Sequence, residues 1–149
     1  QFALMAILIG GGLTLFLVTQ FVLKLNPWFM PRYMIPLAGM IFASSMNGVS
    51  LAAERLQAEM DRNVEYIQAR SIALRAALIP ITNSLFAVGL VSLPGMMTGQ
   101  ILSGVSPLIA VRYQIMVMCM IFSAVGLSSA LFLIMIKSQL SELTGKTLK

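Results

Sequence analysis

Few side chains in this 149-residue chain could do chemistry, and their types narrow what that chemistry is. Histidine is absent, and the single cysteine, Cys119, sits inside an apolar run. Zinc, haem and Cys/His nucleophilic sites are thereby close to excluded, and no internal disulfide can form. The adjacent pair Met96-Met97 could offer soft thioether ligands, which suit Cu(I) better than iron. Equally, the pair could simply pack, as most of the twelve methionines of so apolar a chain would. Thr144-Gly145-Lys146-Thr147 imitates the end of a phosphate-binding loop. The first glycine of that motif should stand at position 140, where the chain has Leu140, and no strand precedes it. No ATPase, enzymatic activity or cofactor is therefore expected of this chain itself.

The elements that carry these residues are membrane spans. The mean hydropathy is +0.91, with 58% hydrophobic and 10% charged residues, and a soluble domain this small could not hide so much apolar surface. Uncharged runs cover residues 1–23, 33–53, 76–111 and 113–136. Each exceeds the roughly 20 residues a helix needs to cross the ~30 Å hydrocarbon layer. The expected fold is all-α, a polytopic transmembrane bundle of about four spans near residues 2–25, 33–53, 72–93 and 107–136. One transmembrane domain would fill residues 1–149. The chain opens on Gln1 and is apolar from Phe2, without a basic segment or cleavage site, so it does not read as a signal peptide. It reads instead as a piece of a longer protein.

Charge sets the orientation. The connection 54–75 carries Arg55, Arg62, Arg70 and Arg75, and the tail 137–149 carries Lys137, Lys146 and Lys149. The connection 94–106 carries no charge. Positive-inside logic places 54–75 and the tail in the cytoplasm and 94–106 outside, in the cytoplasmic membrane. Trp28, Tyr33 and Tyr113 would then lie at the outer interface, with Tyr66 the exception. The net charge of +5 sits at span ends, not on one surface, so it marks membrane topology and not nucleic-acid binding.

Several stretches have two readings. Gly39, Ala43, Asn47 and Ser50 form a stripe on span two, which should start near Pro36. Such a stripe marks either helix contact or a substrate path. Pro80 and Asn83 on span three would give a kink and an amide that must find a partner or a wet cavity. Ser106 and Pro107 should cap and start span four, whose small stripe is Cys119, Ser123, Gly126 and Ala130. Residues 54–70 carry Leu56, Met60, Val64 and Ile67 at helical spacing, giving an amphipathic helix that is either a solvated hairpin arm or a docking helix. The loop 93–107, rich in glycine and proline, reads as a re-entrant or tightly turned segment.

Pro31-Arg32-Tyr33-Met34-Ile35-Pro36-Leu37-Ala38-Gly39-Met40, Asn47 with Val49-Ser50-Leu51, and Ala76-Ala77-Leu78-Ile79-Pro80 with Asn83 carry a family signal. It is strongest at Gly89-Leu90-Val91-Ser92-Leu93-Pro94-Gly95-Met96-Met97-Thr98-Gly99-Gln100-Ile101-Leu102 and continues through Tyr113-Gln114. On these motifs, over roughly residues 27–115, the chain resembles the FetB family of ABC-transporter permeases. These membrane subunits are assigned to iron export, with plant relatives linked to aluminium tolerance. The chain is similar to the C-terminal part of such a permease. It departs in its cytoplasmic connection, which runs from Gln68 to Arg75 without the family's glycine-containing turn.

The resemblance implies two permease subunits in a homodimer, a soluble ATP-binding partner subunit, and a lipid bilayer around them. It implies coupling to that partner through Arg62 and Glu65. It implies a transport path past Asn47, Asn83, Met96, Met97, Gln100 and Gln114. Rival expectations are an ABC permease for an organic substrate such as a nucleotide sugar or lipid, a membrane scaffold, and a secondary transporter. The last would want a midplane ionisable group, and residues 76–111 hold none.

Overall fold

The computed structural model describes residues 1–23, 30–88 and 95–144, and the side chains of these through Lys137. Trp28, the Gly89–Pro94 part of the family-like block, and Lys146 and Lys149 lie outside the described residues. The described chain is a helical membrane bundle of five α-helices. They are α1 (Phe2–Leu17, continued by a π-helical turn Val18–Val22), α2 (Pro31–Asp61), α3 (Tyr66–Ala87), α4 (Gly95–Leu102) and α5 (Pro107–Thr144). Three of them, Phe2–Val22, Pro31–Asp61 and the Pro107–Lys137 part of α5, are long and apolar enough to cross a membrane.

Two apolar clusters show how the helices run. One holds Val18, Leu37, Ile41, Val117 and Met120. The other holds Ala6, Ala52, Leu56, Tyr66, Ala73, Phe132 and Leu133. Hence α2 and α5 run in the same direction and α1 runs against both, with α5 touching every other helix. Small residues let the backbones approach. A Cβ on Gly10 would lie 2.8 Å from the backbone nitrogen of Ser128, and one on Gly48 would lie 2.6 Å from Cγ1 of Val125.

The helix ends follow local chemistry. Pro31 stands at the start of α2, where a missing N–H costs nothing. The sequence-based start near Pro36 is thus moved upstream by more than a turn, and Pro36 lies inside the helix. At the other end α2 does not stop at the charged border but runs on to Asp61. There Asn63 adopts a left-handed φ of 60°. The Val64 amide donates to the Glu59 carbonyl (3.1 Å) and the Asn63 amide to the Met60 carbonyl (2.9 Å). This is a Schellman closure with asparagine in the position that usually takes glycine. The single amphipathic helix expected over 54–70 is therefore broken into a hairpin. Leu56, Met60 and Val64 still pack inward, but Ile67 is exposed and Tyr66 takes the core position.

The segment read as a turned loop holds α4, a two-turn helix. It closes in the same way, with Gly104 at φ 87° and the Val105 amide donating to the Gln100 carbonyl at 3.0 Å. Pro107 starts α5, as its position after Ser106 predicts. Pro80 sits inside α3 without ending it, and the neighbouring hydroxyls of Thr82 and Ser84 donate back to the carbonyls of Leu78 and Pro80.

Candidate functional site

The small-residue stripe of α2 faces out of this bundle. Gly39, Ala43, Asn47 and Ser50 are exposed, whereas Ser45, Gly48 and Ala52, one step round the helix, make the buried contact. Gly48 decides this, because its missing side chain admits Val125 and Ser129 of α5. On α5 the contact face likewise runs through Ala124, Ser128 and Ser129, leaving Cys119 and Ser123 exposed and Gly126 and Ala130 half-buried.

Turned outward, Asn47 and Ser50 of the α2 stripe form part of one wall of a groove. A cavity of about 460 Å³ opens between α2 and α3, with Ser44, Asn47, Ser50 and Glu54 on α2, Pro80 and Ser84 on α3, and Val125 of α5 as part of its lining. A second cavity of about 350 Å³ adjoins it and shares Leu51, Glu54 and Pro80 with it. Ser44, Asn47 and Glu54 fall at i, i+3 and i+10, so one helical face presents them in a row. Proline suits the opposite wall, since Pro80 leaves the Ala76 carbonyl without its usual helical donor. The groove offers hydroxyl, amide and carboxylate oxygens, a set that favours hard cations or water over soft metals.

The other expected path residues lie elsewhere. Asn83 is exposed on α3, outside the residues that line the groove. Met97 is buried, and Met96 packs against the cluster around Ile41 and Val117. Gln114 is buried on the same helix as Val117, and the Oε1 of Gln100 is buried with no hydrogen-bond partner. The structure thus brings only Asn47 to the groove. Among the described residues, no group of three or more His, Cys, Asp or Glu side chains could hold a metal ion.

The hairpin between α2 and α3 is the second feature. Arg62 and Glu65 flank its turn and are exposed. Behind them Glu59 is 4% exposed. Its Oε1 lies 2.6 Å from Arg55 and 3.8 Å from Arg62, which keeps a carboxylate tolerable near a helix C-terminus that disfavours it. Tyr66 is 2% exposed and its hydroxyl donates to the Leu133 carbonyl on α5. Lys137 Nζ stands 6.0 Å from the ring centroid, at the outer limit of a cation–π contact. Burial raises the Tyr66 phenol above its ordinary pKa, partly opposed by the Arg70 charge, so it stays a donor at neutral pH.

Glu54, Glu59 and Tyr66 were not singled out as site residues by sequence reasoning. Glu54 could have been found by carrying the Gly39–Ala43–Asn47 stripe past the charged border of the span. Glu59 and Tyr66 carry no such signal, because their roles depend on where the hairpin breaks.

The sequence profile of the Uncharacterised protein family (UPF0014) matches residues 1–72 and 67–140. The two matches meet in the first turns of α3, in the same stretch where the connection departs from the family pattern. The UPF0014 membrane protein slr1647 of Synechocystis sp. is 44% identical over 117 residues, 68% of this chain and 45% of that protein. A protein named "Probable iron export permease protein FetB" from Escherichia coli is 38% identical over 139 residues, covering 83% of this chain and 52% of the relative. Protein ALUMINUM SENSITIVE 3 of Arabidopsis thaliana is 39% identical over 140 residues, 84% of this chain and 50% of its own. The chain spans about half the length of the curated relatives it matches. No solved structure matches it. The chain belongs to the UPF0014 family of membrane proteins, with a bacterial protein named as an iron export permease and a plant aluminium-sensitivity protein among its relatives.

Proposed function

We propose that this chain is membrane-embedded permease machinery of an ABC transporter that exports metal, iron foremost, across the cytoplasmic membrane. The identity of 38% to the protein named "Probable iron export permease protein FetB" carries this reading. The oxygen-lined groove between α2 and α3 supports it, since a path for a hard cation needs such walls. In this reading, ATP is hydrolysed by a separate soluble subunit, two permease copies form the complex, and residues 54–75 and the tail face the cytoplasm. Residues 94–106 then face outside, and α3 supplies the fourth span.

Arg62 and Glu65, exposed at the hairpin tip, are the contacts for the ATP-binding subunit. Motion there passes into the bundle through α2, α3 and the Tyr66–Leu133 link. For the path, Asn47 is the amide that lines the groove. Asn83, Met96, Met97, Gln100 and Gln114 contribute to a path only where further parts of the protein or a second copy close around them.

The test is purification of the tagged full-length gene product from native membranes in mild detergent, with mass spectrometry of what co-elutes. A stoichiometric soluble ATP-binding protein is expected, with ATPase activity stimulated by ferrous iron once both are reconstituted. Repeated recovery of the protein alone would overturn the ABC reading and favour a scaffold or a secondary transporter.

A further inference from the structure

We propose that Glu54 is the charge-selecting residue of the α2–α3 groove, admitting a hydrated divalent metal cation and rejecting anionic cargo of similar size. This rests on the permease reading and adds to it the residue that chooses the cargo.

Glu54 lines both cavities of the groove, and the residues it shares that junction with are the apolar Leu51 and Pro80. Any solute passing from one cavity to the other therefore passes its carboxylate. Among the described residues Glu54 has no ion-pair partner, in contrast to Glu59, which is held between Arg55 and Arg62. The nearest cation along the helix, Arg55, is engaged by Glu59 at 2.6 Å. Arg75 lines an adjoining cavity with Arg55, Ile72, Ala76 and Ile79, and is not among the residues that line the groove itself. Glu54 is thus the unpaired charge of the groove, whose other charged lining residue, Arg55 in the second cavity, is held by Glu59.

The ligand chemistry beyond it agrees. Asn47 lies two turns along the same face, roughly 10 Å away by helical rise. Ser44 lies beyond it, and Ser84 stands on the opposite wall. These are oxygen donors, and with one carboxylate they suit a hard cation that keeps part of its water. A single carboxylate also gives the weak, reversible hold that transport needs, since cargo bound by several acids would not leave.

Binding and flux of Mn²⁺, used as the probe cation, test the assignment on the full-length protein. Free Mn²⁺ is read by its paramagnetic resonance signal, and flux is read in proteoliposomes carrying the ATP-binding partner. Glu54→Gln should weaken Mn²⁺ binding and raise the half-saturating concentration for flux by about tenfold or more, the effect of losing one charge-assisted contact. Glu54→Asp, which keeps the charge, should stay close to the parent protein, and both variants should elute as the parent does. Unchanged binding in Glu54→Gln overturns the proposal, as does equal loss in Gln and Asp variants that elute normally, or absence of Mn²⁺ binding by the parent. If the parent binds Mn²⁺ in a Glu54-dependent way but shows no ATP-driven flux, the permease reading fails and the assignment of Glu54 as a cation-binding residue stands.

Discussion

The phenolic hydroxyl of Tyr66 donates to the backbone carbonyl of Leu133, tying the first turn of α3 to α5. The two residues are 67 apart in sequence and both are buried. The Leu133 carbonyl belongs to a continuous helix, so the tyrosine adds a second donor to an acceptor with two lone pairs. The bond therefore fixes position without breaking the ladder of α5.

Tyr66→Phe removes that donor and leaves no acceptor orphaned, so its cost should be modest, about 0.5–1.5 kcal/mol. Thermal unfolding in detergent should show a small fall in Tm with the fold retained. The alkaline limb carries a sharper signature. The folded-state pKa of Tyr66 is raised by burial from 10.0, so its contribution to stability is full below that value. It is lost as pH rises through the higher folded value, because only the unfolded chain ionises freely. Above pH 10 the parent should lose stability that Tyr66→Phe does not, and parallel curves for the two proteins would contradict the burial.

Gly10 and Gly12 are two residues apart on α1, about 200° round the helix, and meet different surroundings. A methyl at Gly10 would lie 2.8 Å and 2.9 Å from the backbone nitrogen and Cα of Ser128, whereas nothing lies within 4 Å of one at Gly12. Backbone cannot step aside as a side chain can, so Gly10→Ala should cost about 1–3 kcal/mol by overpacking. Gly12→Ala should be neutral or stabilising by up to ~1 kcal/mol through helix propensity. Equal effects of the two substitutions on Tm would place the α1–α5 contact elsewhere.

Such contrasts show what the sequence could and could not convey. Hydropathy made the helices of a membrane bundle legible, because an uncharged run of twenty residues has few alternatives. Ser106-Pro107 marked the start of α5 because proline's fixed φ and missing N–H suit the first helical position. Helix faces were harder. The stripe through Gly39, Ala43 and Asn47 is as small as the one through Ser45, Gly48 and Ala52, and composition alone cannot say which meets α5. The 54–70 stretch failed differently, since its apolar spacing continues across a break that depends on one backbone angle at Asn63. Asn47 was found because it is polar inside an apolar span. Glu54 was passed over because a charge at a span border looks like topology and not like the wall of a groove.

Three hydroxyls near those glycine contacts are buried without partners, those of Ser45, Ser128 and Ser129, each fully inaccessible. A buried polar group without a partner costs about 1–3 kcal/mol relative to a satisfied one. Replacing Ser45 by alanine removes the hydroxyl and little volume. The variant should be as stable as the parent or more stable by ~1 kcal/mol. A clear loss of Tm in Ser45→Ala would mean that this hydroxyl is hydrogen-bonded in the membrane.

Asn63 holds the tip of the α2–α3 hairpin in a left-handed conformation, φ 60°, and so sets how Arg62 and Glu65 are presented. Asparagine tolerates that region and glycine does so freely, while a β-branched residue meets its own carbonyl there. Asn63→Gly should leave Tm within about 1 kcal/mol of the parent, and Asn63→Val should cost about 1–2 kcal/mol. The tip should respond more than the bundle does. Limited proteolysis after Arg62 should accelerate in Asn63→Val and not in Asn63→Gly, because losing the closure frees the amides of Asn63 and Val64 from α2. Equal cleavage in both variants would mean that the turn is held by its flanking contacts, Glu59 with the arginines and Tyr66 with α5, and not by the backbone of Asn63.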